Sequence, residues 1–312
     1  MADSVRSALR SGLEILREDG VRKAAREAAF YGWESALRVG CSLFGGDRGD
    51  NVYDDDWDVL LILDACRTDL MAEVQDEYAF LDEMDARWSV GSTSAEWLTN
   101  TFDDAHADET AETVYVTGNP FSESDVDASA FAAVDELWRT AWDDDAGTIR
   151  PRPLTDRAIE RWRDGDAERL VVHYMQPHYP FIDADLPEHG LSLDNWGAAT
   201  ETNVWTLLRD GTVTRDDVWS GYRENLRTVL DDVSLLLESI DADTVAITAD
   251  HGNALGEYGV YGHPGGLCLS PLREVPWVTT SAERTRDYDP DTAVEQESEG
   301  GVEDRLEALG YK

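Results

Sequence analysis

Two rhythms of apolar and polar positions run through the chain. Short apolar-rich runs occur at residues 57–63, 113–117, 170–175, 244–248 and 275–280. The first contains Val59-Leu60-Leu61-Ile62-Leu63, unbroken by any polar side chain, as a strand buried on both faces of a parallel sheet requires. Between the runs the spacing changes to threes and fours. Val218, Tyr222, Leu226, Val229, Val233, Leu236 and Ile240 predict a helix over about 214–240, and residues 154–162 predict another that follows a proline, with Thr155 as its cap. Strands alternating with helices predict an α/β three-layer sandwich around a mostly parallel central sheet.

Residues 1–40 stand apart. Their apolar positions, from Val5 and Leu9 to Trp33 and Leu37, recur at helical spacing and break near Gly20. The segment carries seven basic and six acidic side chains, a net of +1, which leaves −41 for the other 272 residues. Two readings fit: amphipathic helices packed on the domain, or a peripheral helix that touches a membrane surface or a partner. The expected organisation is a helical segment at 1–45, a catalytic domain at 46–285 and an acidic tail at 286–312.

Composition narrows the picture. With 42% apolar residues and 9% aromatics in 312 residues, the chain builds a sizeable core and is no disordered acidic protein. The balance of 66 acidic against 26 basic residues, −40 in all, opposes any phosphate backbone, so nucleic acid is excluded as a partner. Only Lys23 and Lys312 are lysines. This arginine-for-lysine, carboxylate-rich surface is similar to that of proteins from salt-accumulating haloarchaea, and it speaks to solubility rather than to fold. Cys41, Cys66 and Cys268 are odd in number and widely spaced, which suggests neither a disulfide framework nor a thiolate zinc site; they read as reduced and intracellular. No apolar window is long enough to span a bilayer and no secretory signal is recognisable, so a cytoplasmic protein, membrane-peripheral at most, is expected.

The candidate chemistry sits at strand ends, where open α/β sheets bind ligands. Leu61-Ile62-Leu63 runs into Asp64, and Ala246-Ile247-Thr248-Ala249 runs into Asp250, His251 and Gly252. Carboxylates with one imidazole suit a divalent cation such as Mn²⁺, Zn²⁺ or Mg²⁺. Between these runs, Thr93 with Glu96 fits a capping box that puts Ser94 in the first turn of a helix. A hydroxyl there lies in the positive field of the helix N-terminus, which favours an alkoxide and an incoming phosphate or sulfate. His178 and His263 lie in Pro- and Gly-rich loops. His173 reads as a satisfied core histidine, and His106 and His189 as solvated ones.

Leu-Asp64-Ala-Cys-Arg67, Gly-Ser-Thr-Ser94-Ala-Glu-Trp, Met-Gln-Pro-His178-Tyr-Pro-Phe, Thr-Ala-Asp250-His251-Gly and Gly-His263-Pro, in this order, resemble the sulfatase-like branch of the alkaline phosphatase superfamily. Residues 302–311 resemble an ending common in that branch. The resemblance implies a metal-activated hydroxyl that attacks a phosphorus or sulfur ester. Asp64, Asp250 and His251 would hold one divalent metal, with Ser94 as nucleophile and fourth ligand and Thr93 as the competing nucleophile. His178 and His263 would contact non-bridging oxygens or protonate the leaving group, and Arg67 would be structural or neutralise substrate charge. Where sulfatases carry a Cys-x-Pro-x-Arg sequence, this chain has Ser94-Ala95-Glu96-Trp97-Leu98, which turns the expectation from sulfate towards phosphate. Of the ligands to a second ion, only His178 with Asp183 is available. The expected function is a phosphoester hydrolase or phosphotransferase acting on a phosphodiester or phosphomonoester of a glycan or lipid head group. A sulfate-ester hydrolase without formylglycine and a catalytically silent binding protein are the alternatives.

Overall fold

The structure, a computed structural model, describes residues 20–45, 49–165, 167–182, 184, 186 and 203–291. The expectations for Asp183, His189, residues 1–19 and the tail from 292 onward lie outside them. Helices are α1 (Gly20–Phe44), α2 (Thr68–Val74), α3 (Ser94–Thr101), α4 (Ala107–Ala111), α5 (Ser122–Asp125), α6 (Pro151–Asp164), α7 (Val204–Asp210), α8 (Arg215–Leu237) and α9 (Ser270–Arg273). Strands are β1 (Val59–Leu63), β2 (Met84–Trp88), β3 (Thr113–Thr117), β4 (Ala133–Glu136), β5 (Trp142–Asp143), β6 (Thr148–Ile149), β7 (Arg169–Tyr174), β8 (Ala242–Thr248), β9 (Ala254–Leu255), β10 (Tyr261–Gly262) and β11 (Glu274–Ala282).

Seven strands form the central sheet in the order β2-β11-β8-β1-β7-β3-β4. β8, β1, β7, β3 and β4 are parallel, and β11 closes one side antiparallel to β8 and β2. β1 is central, which explains its unbroken apolar run. Its alternate side chains feed two separate cores: Val59, Leu61 and Leu63 pack with α2, α6 and α8, while Leu60 and Ile62 pack with Trp97 and Leu98 of α3. The result is the expected three-layer α/β sandwich. β2 and β4 had no sequence signal because they are edge strands. Asp85 and Arg87 of β2 keep one face polar, so neither strand reads as an apolar run.

α8 matches its periodicity. Thr214 caps it in a reciprocal box with Asp217, and Val218, Tyr222, Leu226, Val229, Val233 and Leu236 are fully buried. In α6 the expected cap is corrected. Pro151 occupies the first turn and Arg150 the cap position, so Thr155 is interior, its hydroxyl bonded to the Pro151 carbonyl and to the Tyr174 hydroxyl at 2.9 Å.

Two further corrections concern the periphery. A disulfide joins Cys41 in α1 to Cys268, leaving only Cys66 free. A separation of 227 residues gave the sequence no spacing pattern to read, and only the fold brings the two thiols together. α1 also docks by a face that mixes polar and apolar side chains. Glu27 and Glu34 are buried, Phe30, Leu37, Arg38 and Cys41 are half-buried, and Ala25 and Ala28 are exposed. The surface beneath α1 matches the mixture: it offers the carbonyls of Tyr258 and Gly265 to Trp33 Nε1 and Arg38 Nε, the Arg209 guanidinium to Glu27, and an apolar patch with Leu267 and Leu272 to Leu37.

Candidate metal and phosphoester centre

Three parallel strands deliver side chains to the carboxyl edge of the sheet. Asp64 follows β1, Asp250 and His251 follow β8, and His173 lies on β7 opposite Ile62. The first turn of α3 brings Ser94 over them. Ser94 Oγ lies 3.3 Å from Asp64 Oδ2 and 3.3 Å from His251 Nε2. His251 Nε2 lies 3.7 Å from Asp64 Oδ1 and 3.5 Å from Asp250 Oδ2. All five side chains are buried. Tetrahedral ligands at a metal–ligand distance of about 2.1 Å are about 3.4 Å apart, so the spacing suits one small divalent ion.

The hydrogen-bond inventory points the same way. Asp64 Oδ1, Asp250 Oδ2 and His173 Nε2 are buried without a hydrogen-bond partner, and each such group costs about 1–3 kcal/mol. Their outer atoms are already held. Asp250 Oδ1 accepts from the backbone N–H groups of Ala65 and His251 at 2.9 and 2.8 Å, and Asn119 Nδ2 donates to Asp64 Oδ2 at 3.0 Å. His251 Nδ1 faces the Gly252 carbonyl at 2.9 Å, so that nitrogen carries the proton and Nε2 presents its lone pair to the cluster. Burial and the neighbouring Asp250 charge push the Asp64 carboxyl well above the usual carboxylate range. Burial also raises Asp250, but His251 and His173 more than offset it and hold that carboxyl low. One group strained towards protonation beside one held ionised is an arrangement that a cation would relieve.

His173 corrects the sequence reading. Its Nδ1 is satisfied by the Tyr115 hydroxyl at 2.9 Å, yet its Nε2 is unpartnered, 3.6 Å from Asp250 Oδ2. Asp64, His173 and Asp250 each offer a ligand atom within 4.8 Å of the others. In the sequence, Val171-Val172-His173-Tyr174 looked like a core strand, and nothing showed that alternation turns His173 towards the same edge as Asp250. Asn119 was missed as well, although it follows β3 as Asp64 follows β1, and the strand-end rule applies to both.

Thr93 and Ser94 separate clearly. Thr93 Oγ1 caps α3, accepting from the Glu96 N–H at 3.2 Å, and Ser94 Oγ is the hydroxyl in the cluster. The expected capping box is only half made. The Glu96 carboxylate turns instead to the Ser92 N–H and hydroxyl, at 2.9 and 2.7 Å, and to the Gly266 N–H at 2.6 Å, tying the serine turn to the loop that carries His263.

His178 and His263 meet beside the cluster, Nε2 to Nε2 at 3.0 Å, and the His263 ring lies 4.6 Å from that of His251. His178 Nδ1 faces the Tyr179 carbonyl and therefore carries a proton, so His178 Nε2 accepts from His263. The Asn225 side chain of α8 fixes the loop, donating to the carbonyls of His178 and Pro180 at 2.9 Å each and accepting from the Ile182 N–H at 2.9 Å. Burial, then the nearby His251, lowers His178 to about 4; burial, His251 and His178 lower His263 well below the usual value. Both rings are neutral as they stand. Arg67 is not part of this centre. It makes a bidentate bridge to Asp69 at 2.8 and 2.6 Å and donates to the Asn253 carbonyl and to Glu257, so its role is structural.

No family model matches the chain, and no curated protein does. Solved structures similar to it include the soluble domain of lipooligosaccharide phosphoethanolamine transferase A from Neisseria meningitidis, with 14% identity, a TM-score of 0.48, and coverage of 72% of this chain and 76% of that one. The lipoteichoic acid synthase LtaP from Listeria monocytogenes aligns with 13% identity and a TM-score of 0.42 over 71% of this chain and 64% of that one. A protein in the alkaline phosphatase superfamily from Vibrio parahaemolyticus aligns with 14% identity and a TM-score of 0.41, over 74% and 61%. These are likenesses of fold alone.

Proposed function

We propose that the protein is a metal-dependent phosphoester hydrolase or phosphotransferase that uses Ser94 as nucleophile on a phosphodiester or phosphomonoester of a lipid or glycan head group. The observation that carries this reading is the convergence of three unpartnered buried atoms, Asp64 Oδ1, Asp250 Oδ2 and His173 Nε2, around a serine hydroxyl at a helix N-terminus. Asp64, Asp250, His251 and Ser94 would hold the ion, with His173 close behind. When bound, a divalent cation lowers the pKa of the serine hydroxyl and neutralises charge on the phosphoryl group.

The chain's own groups supply the rest. The Ser94 proton has Asp64 Oδ2 as acceptor at 3.3 Å and returns from it when the serine is released. As Ser94 Oγ bonds to phosphorus, the bond to the leaving oxygen breaks, and that oxygen takes the proton held between His178 and His263. The start of α3 would place the growing negative charge in the positive field of the helix N-terminus. Release of the phosphoseryl group needs water or an acceptor alcohol, which gives its proton back to the histidine pair.

The test is hydrolysis of bis-p-nitrophenyl phosphate in molar KCl, with Mn²⁺ or with EDTA, beside Ser94→Ala. Turnover that needs Mn²⁺ and falls on the order of 10³-fold or more in the variant is the expected result. Equal turnover by Ser94→Ala would overturn the nucleophile. Faster cleavage of the matching sulfate ester would move the reading to sulfate.

A further inference from the structure

We propose that the outer face of α1 lies on a lipid surface and presents the catalytic edge of the protein to it. Six large apolar side chains are exposed among the described residues: Tyr31, Trp33, Val39, Leu43, Phe44 and Tyr258. Five of them lie on α1, and the sixth is on the loop whose carbonyl accepts from Trp33 Nε1. Phe44 is 86% exposed and Leu43 69%. A patch of this kind on one element marks an interaction surface.

The rest of α1 says what kind of surface. Its charged residues from position 25 onward are Arg26, Glu27, Glu34 and Arg38; Glu27 and Glu34 are buried against the body, and Arg26 is paired with Asp210. Ala25, Ala29, Gly32, Ala36, Val39 and Leu43 fill the opposite side, so the outward face carries no carboxylate. The whole chain holds 66 carboxylates against 26 cations, and almost any other face would be repelled by anionic head groups. The apolar arc is also wide. At 100° per residue, Tyr31 and Phe44 flank the Ala–Gly–Leu centre on opposite sides, whereas a single partner helix covers a stripe of only about 100°. A planar apolar boundary takes the whole arc, with Trp33, Tyr31 and Tyr258 at the polar–apolar level where such rings settle. No helix among the described residues is long and apolar enough to cross a membrane, so the helix would lie in the interface plane.

The same helix touches the site. Arg38 Nε donates to the Gly265 carbonyl at 2.8 Å, and Cys41 is bonded to Cys268, so α1 grips the loop that begins at His263. α1 thereby ties the proposed lipid-facing element to the loop that carries His263. The inference rests on the proposed phosphoester reading for its substrate, but its own observable is binding.

The test is flotation of the full chain with vesicles of phosphatidylcholine and phosphatidylglycerol in molar KCl, beside the triple variant Val39→Ser, Leu43→Ser, Phe44→Ser. Wild type should float with the vesicles, and the variant should float at least tenfold less while keeping its melting temperature and its turnover of soluble bis-p-nitrophenyl phosphate. Failure of wild type to float, or equal flotation of the variant, would overturn the proposal whatever the activity shows. So would a wild-type dimer that the triple variant disperses, since the face would then belong to a second copy. Flotation that appears only after Leu9, Leu13 and Leu16 are changed to serine would assign the face to the chain's own residues 1–19 and overturn it as well.

Discussion

The two halves of the site are held in different ways. Asp64, His173, Asp250 and His251 stand on or next to β1, β7 and β8, whose ladders fix their backbones from both sides. His178 and His263 stand on loops and are fixed by side chains reaching from elsewhere: Asn225 from α8, Glu96 from α3, and Arg38 and Cys41 from α1. The strand-borne half converges charged and polar atoms that lack hydrogen bonds and could hold a cation. The loop-borne half is a neutral pair that shares one hydrogen bond, Nε2 to Nε2, and can exchange it for a substrate oxygen, while His263 Nδ1 is itself buried without a hydrogen-bond partner. A rigid ladder suits a metal, which tolerates little error in ligand position, and adjustable clamps suit a group that must give and take a proton.

The largest effect that would break this contrast comes from Asp250→Asn. It should lower turnover on the order of 10³-fold and weaken Mn²⁺ binding, measured by titration calorimetry, by 100-fold or more. In EDTA the variant should melt below wild type, because His251 and His173 hold the Asp250 carboxylate ionised and that charge is lost, although the amide oxygen can still accept from Ala65 and His251. With Mn²⁺ present the gap should widen, wild type gaining about 2–3 kcal/mol at a hundredfold excess over Kd and the variant little. A gap that Mn²⁺ leaves unchanged would show that the carboxylate is structural.

Next comes Asn225→Ala, which removes the clamp on the loop half only. It leaves the Pro180 and His178 carbonyls and the Ile182 N–H without their partners, a loss of about 3–4 kcal/mol by urea denaturation. Turnover should fall with it, while Mn²⁺ affinity stays within about threefold. A comparable loss of metal affinity would mean that the two halves are one unit.

The pH dependence sharpens the same line. His178 is held at about 4 in the folded protein by burial and by His251, against an ordinary value of 6.5. The unfolded chain therefore binds the proton first. This contribution to stability is fully present above about 6.5, declines as pH falls towards about 4 and levels off below that, a change of up to about 3 kcal/mol. Melting of metal-free protein across that window, compared with His178→Asn, should show the slope in wild type and a shallower one in the variant.

What the sequence made legible follows the same division. The ladder half was readable because a parallel core strand is an uninterrupted apolar run, and a carboxylate directly after such a run has one place to go, the carboxyl edge. Asp64, Asp250 and His251 were placed at that edge in this way. His173 was not, because inside Val171-Val172-His173-Tyr174 the polar side chain is masked by the run that carries it, and its direction depends on register with Ile62. The clamps were hidden for a different reason. Asn225 lies on the buried face of α8 among apolar residues, and Glu96 fits a capping box in sequence while its carboxylate is drawn to Gly266 by a loop 170 residues away. Contacts of that range, like the Cys41–Cys268 bond, leave no periodic trace.

The smallest predicted effect decides between neighbours. Thr93 and Ser94 are both hydroxyls at the start of α3, and their sequence context alone makes either a candidate nucleophile. In the fold, Thr93 Oγ1 is committed to the Glu96 N–H as the helix cap, and only Ser94 Oγ faces Asp64 and His251. Thr93→Ala should therefore cost about 1 kcal/mol of stability, the usual loss for a missing cap, and leave turnover within about fivefold of wild type. Thr93→Ser, which keeps the capping oxygen, should restore both. If instead Thr93→Ala abolishes turnover and Thr93→Ser revives it, with Ser94→Ala still active, the nucleophile is Thr93. The cap would then have to open for catalysis, and the strand-borne half would be as adjustable as the loops.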